Sequence, residues 1–600
     1  MNIPAAHRVP RVGELVQWAV NEELAPAEAV SAVAARLAET VGACSWPELR
    51  LAAHHIGADP PVVVADGDEL GLLYQNLLSA DDRRVGGVHY TPRWLADGVV
   101  ESAVGAAKAS VLDPAMGGGA FLLAAARRLT ATGATVGEAV EVRLWGSDID
   151  SVAVAVAEAA LVCWAAAAGA TVGPLARLVV ADPLVGDPWP DRPPDGFDAV
   201  VGNPPFLGQM RSTTTRTADY GADVAATLGL GVSPYCDTAA LFLARAVSLA
   251  RVGGRVALVQ PQSLLSAADA ASVRGFVLDR GSIVELWEDD GEAFDAGVRT
   301  CVPVVQLAAA ADAPIRRRRG ADFSVSPGPT LTSTHLAEAV SWAPLLASEW
   351  AGQPARRGTG TLGDLARVTA GFRDEYYAIA AATVDGLEPA PRVVTSGLLD
   401  PLALHWGTRE ARIAKRSWKR PALDLTVLAR TSERVQRWCN DRLRPKILLP
   451  NQTRVLEPVI DADGTLVPLT PVLSVEADDA DLARIAAVLL APPISAWAVA
   501  RRAGTGLSSG AIRLAARDIA VVPLPSDGAA WAEATAMVES TIGDATAAAH
   551  GRLLEIATVM NRAYGGDDEV LAWWGSRLPG AGPSRSAAHR RNSRDSGQPA

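Results

Sequence analysis

The sequence predicts an α/β fold with a mainly parallel sheet, and three observations support this prediction. Short apolar runs alternate with helical segments between residues 86 and 310, as they do where crossover helices join parallel strands. Three of these runs end at or just before an acidic residue, at Asp113, Asp148 and Asp182. A glycine-rich turn follows the first of them. Folds of this kind bind ligands at the carboxyl ends of their strands.

The first predicted strand ends at Val111-Leu112-Asp113, and the turn 114–119 leads into a helix that starts at Phe121. Glycine lets the backbone approach a ligand closely, and the helix N-terminus offers free N–H groups. The glycine spacing is not G-x-G-x-x-G, and no Lys-Ser or Lys-Thr pair follows. The turn therefore matches neither the dinucleotide fingerprint nor the P-loop, and a nicotinamide oxidoreductase is disfavoured.

The next two strands also lead to acidic residues. The strand 144–148 ends at Asp148, where a carboxylate suits the two hydroxyls of a ribose. The strand near 179–181 leads to Asp182, which is placed to bind an adenine amino group. Each acid alone is equally consistent with a loop residue or a helix N-cap. Their occurrence in series, followed by a fourth strand, favours one nucleotide-like site.

The fourth strand, 197–202, ends at Asn203-Pro204-Pro205-Phe206. The exocyclic amine of a base is a poor nucleophile because its lone pair is delocalised into the ring. An Asn carboxamide oxygen and a backbone carbonyl can each accept one N–H of that amine and direct its lone pair outward. Proline has a fixed φ and no N–H, so the two prolines give a stiff loop with carbonyls and few donors. Phe206 offers a face for base stacking.

With these motifs in this order, the sequence resembles the S-adenosyl-L-methionine-dependent DNA adenine-N6 methyltransferases. The order is similar to the gamma class of restriction–modification systems, in which a segment like Gly87-Val88-His89-Tyr90-Thr91-Pro92 comes first. The resemblance covers roughly residues 70–310. It implies a Rossmann-like class I methyltransferase domain that extrudes an adenine from double-stranded DNA and transfers a methyl group to its N6.

The resemblance also implies roles for individual residues. Asn203 and Pro204, supported by Pro205 and Phe206, hold and activate the target amine, and Phe206 and Phe294 stack on the two faces of the base. The implied S-adenosyl-L-methionine contacts are Thr91, Pro92, Asp113, Pro114, Ala115, Gly117, Gly119, Phe121, Asp148, Ile149, Asp182 and Pro183.

Composition agrees with a large enzyme that has ample core, since 49% of the residues are hydrophobic and 20% are charged. The five cysteines are scattered without a C-x-x-C pair, so we expect no metal site and no disulfide framework, and a cytoplasmic location fits. The longest apolar stretch, 151–172, is mostly alanine. We expect it to be a buried helix and no part of the protein to span a membrane.

The net charge of −12 conceals a local excess of basic residues. Between Arg409 and Arg454 there are thirteen Arg or Lys against four Asp or Glu, interleaved with tryptophan. Such a surface can follow a phosphate backbone, although a solvated basic face has the same composition. The expected DNA contacts are Lys415, Arg416, Lys419, Arg420, Arg444 and Lys446.

Six regions are predicted along the chain. They are an N-terminal helical segment (1–85, with helices at 26–40 and 68–78), the catalytic domain (86–310), a linker containing four consecutive arginines (311–354), a C-terminal α+β target recognition domain (355–530), a helical segment (531–576) and a disordered tail (577–600).

Alternatives to a DNA methyltransferase remain from the sequence. The Asn-Pro-Pro-aromatic motif also suits the amines of RNA bases and the amide of protein glutamine, and the chain could be an inactive DNA-binding sensor. Only four lysines are present, and none has Asp, Glu or Gln two residues before it, as the common nuclease core requires. We therefore expect modification without cleavage, with any restriction or defence-system nuclease on a separate subunit.

Overall fold

The computed structural model describes residues 9–61, 67–78, 91–189, 191–206, 217–291, 293–294, 299–326, 328, 330–339, 341–346, 358–371, 373–502, 512–543 and 550–579. The predicted segment 87–90 and residues 580–600 of the predicted tail lie outside these ranges. The chain divides into two compact units, Met1–Leu345 and Leu346–Ala600.

Among the described residues, the N-terminal segment contains the α-helices α1 (Val9–Asn21), α2 (Pro26–Val41) and α3 (Asp68–Leu77). Pro26 lies in the first turn of α2, the Glu28 carboxylate accepts a hydrogen bond from the Ala25 N–H at 2.9 Å, and Gly42 ends the helix at a φ of 73°. These features are typical of helix ends. The predicted helices at 26–40 and 68–78 are confirmed. Leucines of α2 and α3 are fully buried in one core with the sheet domain.

The first unit is built on a sheet whose described strands follow the order β10-β9-β7-β8-β5-β4-β1-β2-β3, with β6 paired to β8. The strands are β1 (Val111–Asp113), β2 (Leu144–Asp148), β3 (Leu178–Val180), β4 (Phe197–Gly202), β5 (Ala250–Leu258), β6 (Gln260–Pro261), β7 (Gly281–Glu288), β8 (Thr300–Leu307), β9 (Arg316–Arg319) and β10 (Ser324–Val325). Strands β3, β2, β1, β4 and β5 are parallel, and β8 is antiparallel to β5 and β7. The predicted mainly parallel sheet is confirmed.

The remaining helices of this unit are α4 (Arg93–Ala103), α5 (Ala120–Ala131), α6 (Ser151–Ala167), α7 (Ala218–Leu228), α8 (Thr238–Leu249), α9 (Ala271–Arg280) and α10 (Ser333–Ala339). Helix α6 is the predicted alanine-rich helix, and it is buried along most of its length. Its one charged residue, Glu158, accepts hydrogen bonds from the N–H groups of Arg50 and Leu175. A buried carboxylate is tolerated only with such partners.

The arginine run Arg316–Arg319 was expected in a linker, and the structure corrects this. It forms β9, which pairs in parallel with β7 and places Arg316 beside Glu285 and Arg319 beside Glu288. The Arg316 guanidinium lies 3.2 Å from the Glu285 carboxylate. Opposite charges on neighbouring strands stabilise such a pairing, so the run extends the sheet despite its charge.

The second unit contains both strands and helices. Its strands are β11 (Arg367–Ala370), β12 (Thr383–Asp385), β13 (Arg392–Val394), β14 (Leu399–Asp400), β15 (Ala403–Leu404), β16 (Ala411–Ile413), β17 (Arg416–Trp418), β18 (Pro421–Leu423), β19 (Lys446–Pro450), β20 (Gln452–Thr453), β21 (Val459–Asp461), β22 (Leu466–Pro468), β23 (Val472–Glu476) and β24 (Ile512–Arg513). The two larger sheets follow the orders β11-β23-β19-β21 and β12-β18-β13-β22.

The helices of the second unit are α11 (Arg373–Ala381), α12 (Leu425–Thr431), α13 (Glu433–Asn440), α14 (Asp479–Leu490), α15 (Pro492–Arg502), α16 (Ala516–Ala520), α17 (Gly528–Glu539), α18 (His550–Ala563) and α19 (Asp568–Gly575). Helices α17 to α19 fall within the predicted helical segment 531–576 or overlap its start. Arg577, placed in the predicted tail, lies over the Trp573 ring at 4.6 Å.

No single helix in the described ranges has the length and apolar character needed to cross a membrane, although the bent pair Asp479–Leu490 and Pro492–Val499 meets both criteria when taken together.

Candidate active site

The carboxyl ends of β1, β2 and β4 meet at one edge of the sheet. Strand β1 pairs with β2 on one side and with β4 on the other, so the strand order reverses at β1, where folds of this type bind ligands. A cavity of about 340 Å³ opens at this point. Its lining includes Asp113 from β1, Asp148 from β2 and Asn203, the residue after β4.

The glycine-rich loop between β1 and α5 forms one wall of the cavity. The Met116 N–H donates to the Ser147 carbonyl at 3.0 Å, and the Ser147 hydroxyl donates to the Pro114 carbonyl at 2.9 Å. These bonds hold the loop against β2. A Cβ on Gly118 would lie 2.5 Å from the Gly71 Cα. Only glycine at position 118 therefore allows α3 to lie this close to the loop.

The carboxylates of the second and third strand ends are oriented by hydrogen bonds. Asp148 accepts from the N–H groups of Gly117 and Asp150, both at 2.9 Å. Asp182 accepts from the Leu184 N–H at 2.9 Å and from the Tyr220 hydroxyl at 2.7 Å. A carboxylate has about four acceptor sites, so both acids retain capacity for ligand hydroxyl or amino groups.

Asp113 differs from Asp148 and Asp182 in its burial and its hydrogen bonding. Its side chain is almost fully buried, and Oδ1 accepts from the Ala115 N–H at 3.0 Å. Oδ2 is buried without a partner among the described residues. The pKa of Asp113 is raised to about 8, mainly by burial and to a smaller extent by the negative charge of Asp148, against the opposing effect of the Ala115 hydrogen bond. Asp113 is therefore protonated at neutral pH in this environment.

The ionisable side chains in the cavity lining are acidic. Five of its residues are aspartates, namely Asp68, Asp113, Asp148, Asp150 and Asp182, and within the described residues the lining includes no Lys, Arg or His. Asp68 is neutralised by Arg93 and Arg127. Such a cavity attracts a cation and disfavours the phosphates of a dinucleotide. A cationic nucleoside such as S-adenosyl-L-methionine fits this set of carboxyl groups.

Asn203 lies beside these carboxylates with an unused acceptor. Its Nδ2 donates to the Thr91 hydroxyl at 3.1 Å, and its Oδ1 is buried with no partner in the described part of the chain. A buried acceptor without a donor is costly, and a ligand N–H would satisfy it.

Most of the residues predicted to bind the cofactor line the cavity. They are Thr91, Asp113, Pro114, Ala115, Gly117, Phe121, Asp148, Ile149, Asp182 and Pro183. Pro92 and Gly119 do not line it, since Pro92 caps α4 and Gly119 starts α5 with a φ of 88°. The Ile149 side chain is 75% exposed beside Asp148, which leaves an apolar face open for a flat ring.

Pro205 also lines the cavity, while Pro204 is buried. Phe206 and Phe294 are not among the lining residues. Both are partly buried and pack against the core of the first unit. Their stacking on a target base stays a prediction.

The sequence reasoning missed the contribution of α3. Gly71, Leu72 and Gln75 line the cavity, and the Tyr74 hydroxyl donates to Asp150 Oδ2. One local signal was present, because a glycine inside a helical pattern often marks close packing. Within the described residues, no group of three or more His, Cys, Asp or Glu side chains is arranged to hold a metal ion.

The predicted DNA contacts lie in the second unit. Lys415, Arg416 and Lys419 are exposed. Arg420 forms an ion pair with Glu388 and lies 5.1 Å from the Trp406 ring centroid. Arg444 is exposed and donates to the Asp441 carbonyl.

Lys446 requires a correction. Its side chain is fully buried in β19 and forms an ion pair with Asp461. Burial lowers the pKa of Lys446, and the charge of Asp461 opposes that shift. A side chain with no exposed surface does not reach a phosphate, so the prediction that Lys446 contacts DNA is wrong.

Residues 65–286 match the family model described as N-6 DNA Methylase. This part of the chain is thus similar to N-6 DNA methylases. The match includes the glycine-rich loop, the aspartates at the strand ends and Asn203, and it confirms the predicted resemblance at this level. It covers less than half of the chain and none of the second unit. No curated protein matches this sequence.

Solved structures are similar to the chain at low sequence identity. The type IIL restriction-modification enzyme MmeI, in complex with DNA, has 13% identity and a TM-score of 0.50 over 88% of this chain and 81% of that chain. This similarity confirms the predicted class I methyltransferase type of fold.

Two further structures have lower scores. A putative class I S-adenosylmethionine-dependent methyltransferase from Listeria monocytogenes has 18% identity and a TM-score of 0.36, over 52% of this chain and 94% of that chain. A type I methyltransferase subunit from Streptococcus thermophilus has 19% identity and a TM-score of 0.32, over 48% of this chain and 58% of that chain.

Proposed function

We propose that the protein is a site-specific DNA methyltransferase that transfers a methyl group from S-adenosyl-L-methionine to N6 of an adenine extruded from double-stranded DNA. The single observation that supports this best is the buried Oδ1 of Asn203, a residue that lines the carboxylate-rich cavity, which has no hydrogen-bond partner among the described residues. The N-6 DNA Methylase match over residues 65–286 supports the same reaction.

In this proposal, different side chains of the cavity contact different parts of the cofactor. Asp148, already oriented by two N–H groups, accepts from the ribose hydroxyls. Asp182 accepts from the amino group of the cofactor's adenine, and Ile149 and Pro183 contact the ring. The bound cofactor supplies a methyl group on a positively charged sulfur, and the aspartates of the lining stabilise that charge.

Asn203 then acts on the target base. Its Oδ1 accepts one N–H of the adenine amine, and the Pro204 carbonyl accepts the other. Thr91 orients the carboxamide by accepting from Nδ2. Two acceptors on one amine direct its lone pair toward the methyl group, so these residues act through orientation and polarisation. The amine becomes acidic as it is alkylated, and its proton passes to solvent without a strong base.

Extrusion of the adenine costs a few kcal/mol. We propose that Phe206 and Phe294 offset this cost by stacking on the base, at about 1–3 kcal/mol per contact. Exposed cations of the second unit hold the DNA backbone, with Lys415, Arg416, Lys419, Arg420 and Arg444 as contacts. Target recognition belongs to residues 355–530.

The order of the motifs along the chain supports the gamma class, because Thr91 and Pro92 precede the glycine-rich loop, which precedes Asn203. In this proposal the enzyme works in the cytoplasm within a restriction–modification or related defence system. Any cleavage activity belongs to a separate subunit.

The direct test is methyl acceptance by the full-length protein with tritiated S-adenosyl-L-methionine and three substrates: DNA, RNA and a protein extract. We expect label on the N6 of adenine in double-stranded DNA. Label confined to RNA or to protein glutamine would overturn the proposal in favour of those substrates. Cofactor and DNA binding without transfer to any substrate would favour an inactive sensor.

A further inference from the structure

Strands β16 and β17 form a hairpin, residues 411–418, that we call the basic hairpin. Ile413 pairs with Arg416, so only Ala414 and Lys415 form the turn. Their φ angles are 50° and 66°. A two-residue turn with positive φ at both central positions normally uses Asn and Gly. Alanine and lysine are strained there, and such strain is retained where the surrounding structure or a function requires it.

The basic hairpin is held rigidly on the second unit. Ala411 and Ile413 are buried, and Trp418 packs against two hydrophobic clusters. At the turn, the Ala414 N–H donates to the Tyr376 hydroxyl of α11 at 3.0 Å. The turn is therefore fixed on one side by packing and at its tip by a hydrogen bond.

Exposed basic side chains lie on and next to the basic hairpin. Arg412 lies directly opposite Ser417, and both are exposed. Lys415 projects from the turn, and Arg416 and Lys419 are also exposed. In the part of the chain that the structure describes, none of these four cations forms an ion pair. Arg409 and Arg420, at its two ends, are paired with Asp400 and Glu388.

We propose that the basic hairpin enters the major groove of the DNA target and that Arg412 is a specificity-determining residue that hydrogen-bonds a guanine. The inference rests on the proposed DNA methyltransferase function and adds the groove, the base and the residue. A two-stranded ribbon has the width of the major groove, and an Arg guanidinium can donate two hydrogen bonds to guanine O6 and N7.

Arg412 and Lys419 occupy different positions, and these positions suit different contacts with DNA. Arg412 occupies the middle of β16, where packing of Ala411 and Ile413 fixes the direction of its side chain. Lys419 lies beyond the paired residues of β17 and presents a single flexible cation, which suits a backbone phosphate. Loss of Arg412 should thus change which sequence is methylated, whereas loss of Lys419 should weaken binding to all sequences.

The test compares the wild type with Arg412→Ala, Arg412→Lys and Lys419→Ala, each full-length and expressed in a host whose DNA is then read by methylation-sensitive long-read sequencing. Arg412→Lys keeps the charge and removes the bidentate fork. We expect both Arg412 variants to lose discrimination at one guanine of the methylated word by about tenfold to a hundredfold. Lys419→Ala should keep the word and lower the salt dependence of DNA binding by about one counterion.

Each outcome decides one question. If the wild type methylates a defined word and both Arg412 variants methylate the same word with unchanged discrimination at every position, the role of Arg412 is overturned while the proposed function stands. If the wild type methylates no DNA, the proposed function fails, and the inference fails with it. Because Arg412 is exposed, thermal unfolding of its variants should match the wild type, and a lower Tm in both would indicate a structural role instead.

Discussion

Two buried ionisable residues, Asp113 in the first unit and Lys446 in the second, have contrasting environments. Lys446 pairs with Asp461, and Asp461 also accepts from the N–H groups of Thr465 and Leu466. Asp113 has a buried oxygen with no partner among the described residues and a neighbouring carboxylate of the same charge.

The difference separates an ionisable residue with a structural role from one with a role in ligand binding. A fully satisfied buried pair contributes to a unique fold, while an unsatisfied buried acid is retained where a ligand completes it. The same distinction applies at the surface, where Arg420 is paired and the cations of the basic hairpin are not.

The largest expected effect is on the free energy of unfolding when the buried Lys446–Asp461 pair is broken. Lys446→Ala leaves Asp461 buried without its cation and should lower the free energy of unfolding of the second unit by about 3–5 kcal/mol. Denaturant unfolding followed by tryptophan fluorescence measures this. Lys419→Ala, an exposed control, should stay within about 0.5 kcal/mol of the wild type. Equal effects at the two lysines would contradict the structural role of Lys446.

The second effect concerns the pH dependence of stability. The pKa of Asp113 in the folded protein is raised to about 8 by burial, above an ordinary value of about 3.9. Between these values the folded protein holds a proton that the unfolded chain has lost, so stability falls as pH rises from about 4 to about 8 and then levels off.

Asp113→Asn removes this titration. We expect the variant without cofactor to be more stable than the wild type at pH 8, on the order of 2–4 kcal/mol, and to bind the cationic cofactor more weakly in calorimetry. Asp191→Asn, at an exposed position, serves as the control and should change neither property. Parallel stability curves for wild type and Asp113→Asn between pH 4 and 8 would refute the assignment.

A smaller effect is expected at Tyr74, whose hydroxyl donates to Asp150 at the cavity. Tyr74→Phe should weaken cofactor binding by about 1 kcal/mol, or several-fold in Kd, because one oriented hydrogen bond is lost. Tyr235→Phe is a matched control, since Tyr235 is 63% exposed. If the two variants bind the cofactor with the same affinity, the hydrogen bond from Tyr74 to Asp150 does not contribute to cofactor binding.

Local patterns predicted the first unit well. Each strand that ends in an acid, and the Asn203 motif after β4, is specified by a few adjacent residues, and the parallel sheet then brings them to one edge. The contact between Gly71 and Gly118 joins residues far apart in the chain, and nothing near either glycine specifies the other. For this reason the role of α3 in the cavity was missed.

The distribution of charge along the sequence predicted the structure less reliably than the strand and loop patterns did. Lys446 belongs to a basic stretch by composition, yet β19 lies between β23 and β21, and that position buries it. The arginines of β9 were read as a linker, although glutamates on β7 neutralise part of their charge. Net charge along the chain does not reveal the partners that folding supplies.

The most direct test of the central proposal compares the wild type with Asn203→Ala in two measurements on the same preparation: binding of S-adenosyl-L-methionine by calorimetry and transfer of its tritiated methyl group to DNA. We expect Asn203→Ala to bind the cofactor with an affinity close to that of the wild type and to lose transfer by at least about a hundredfold. Near-normal transfer by Asn203→Ala would show that the Asn203 carboxamide does not activate the target amine.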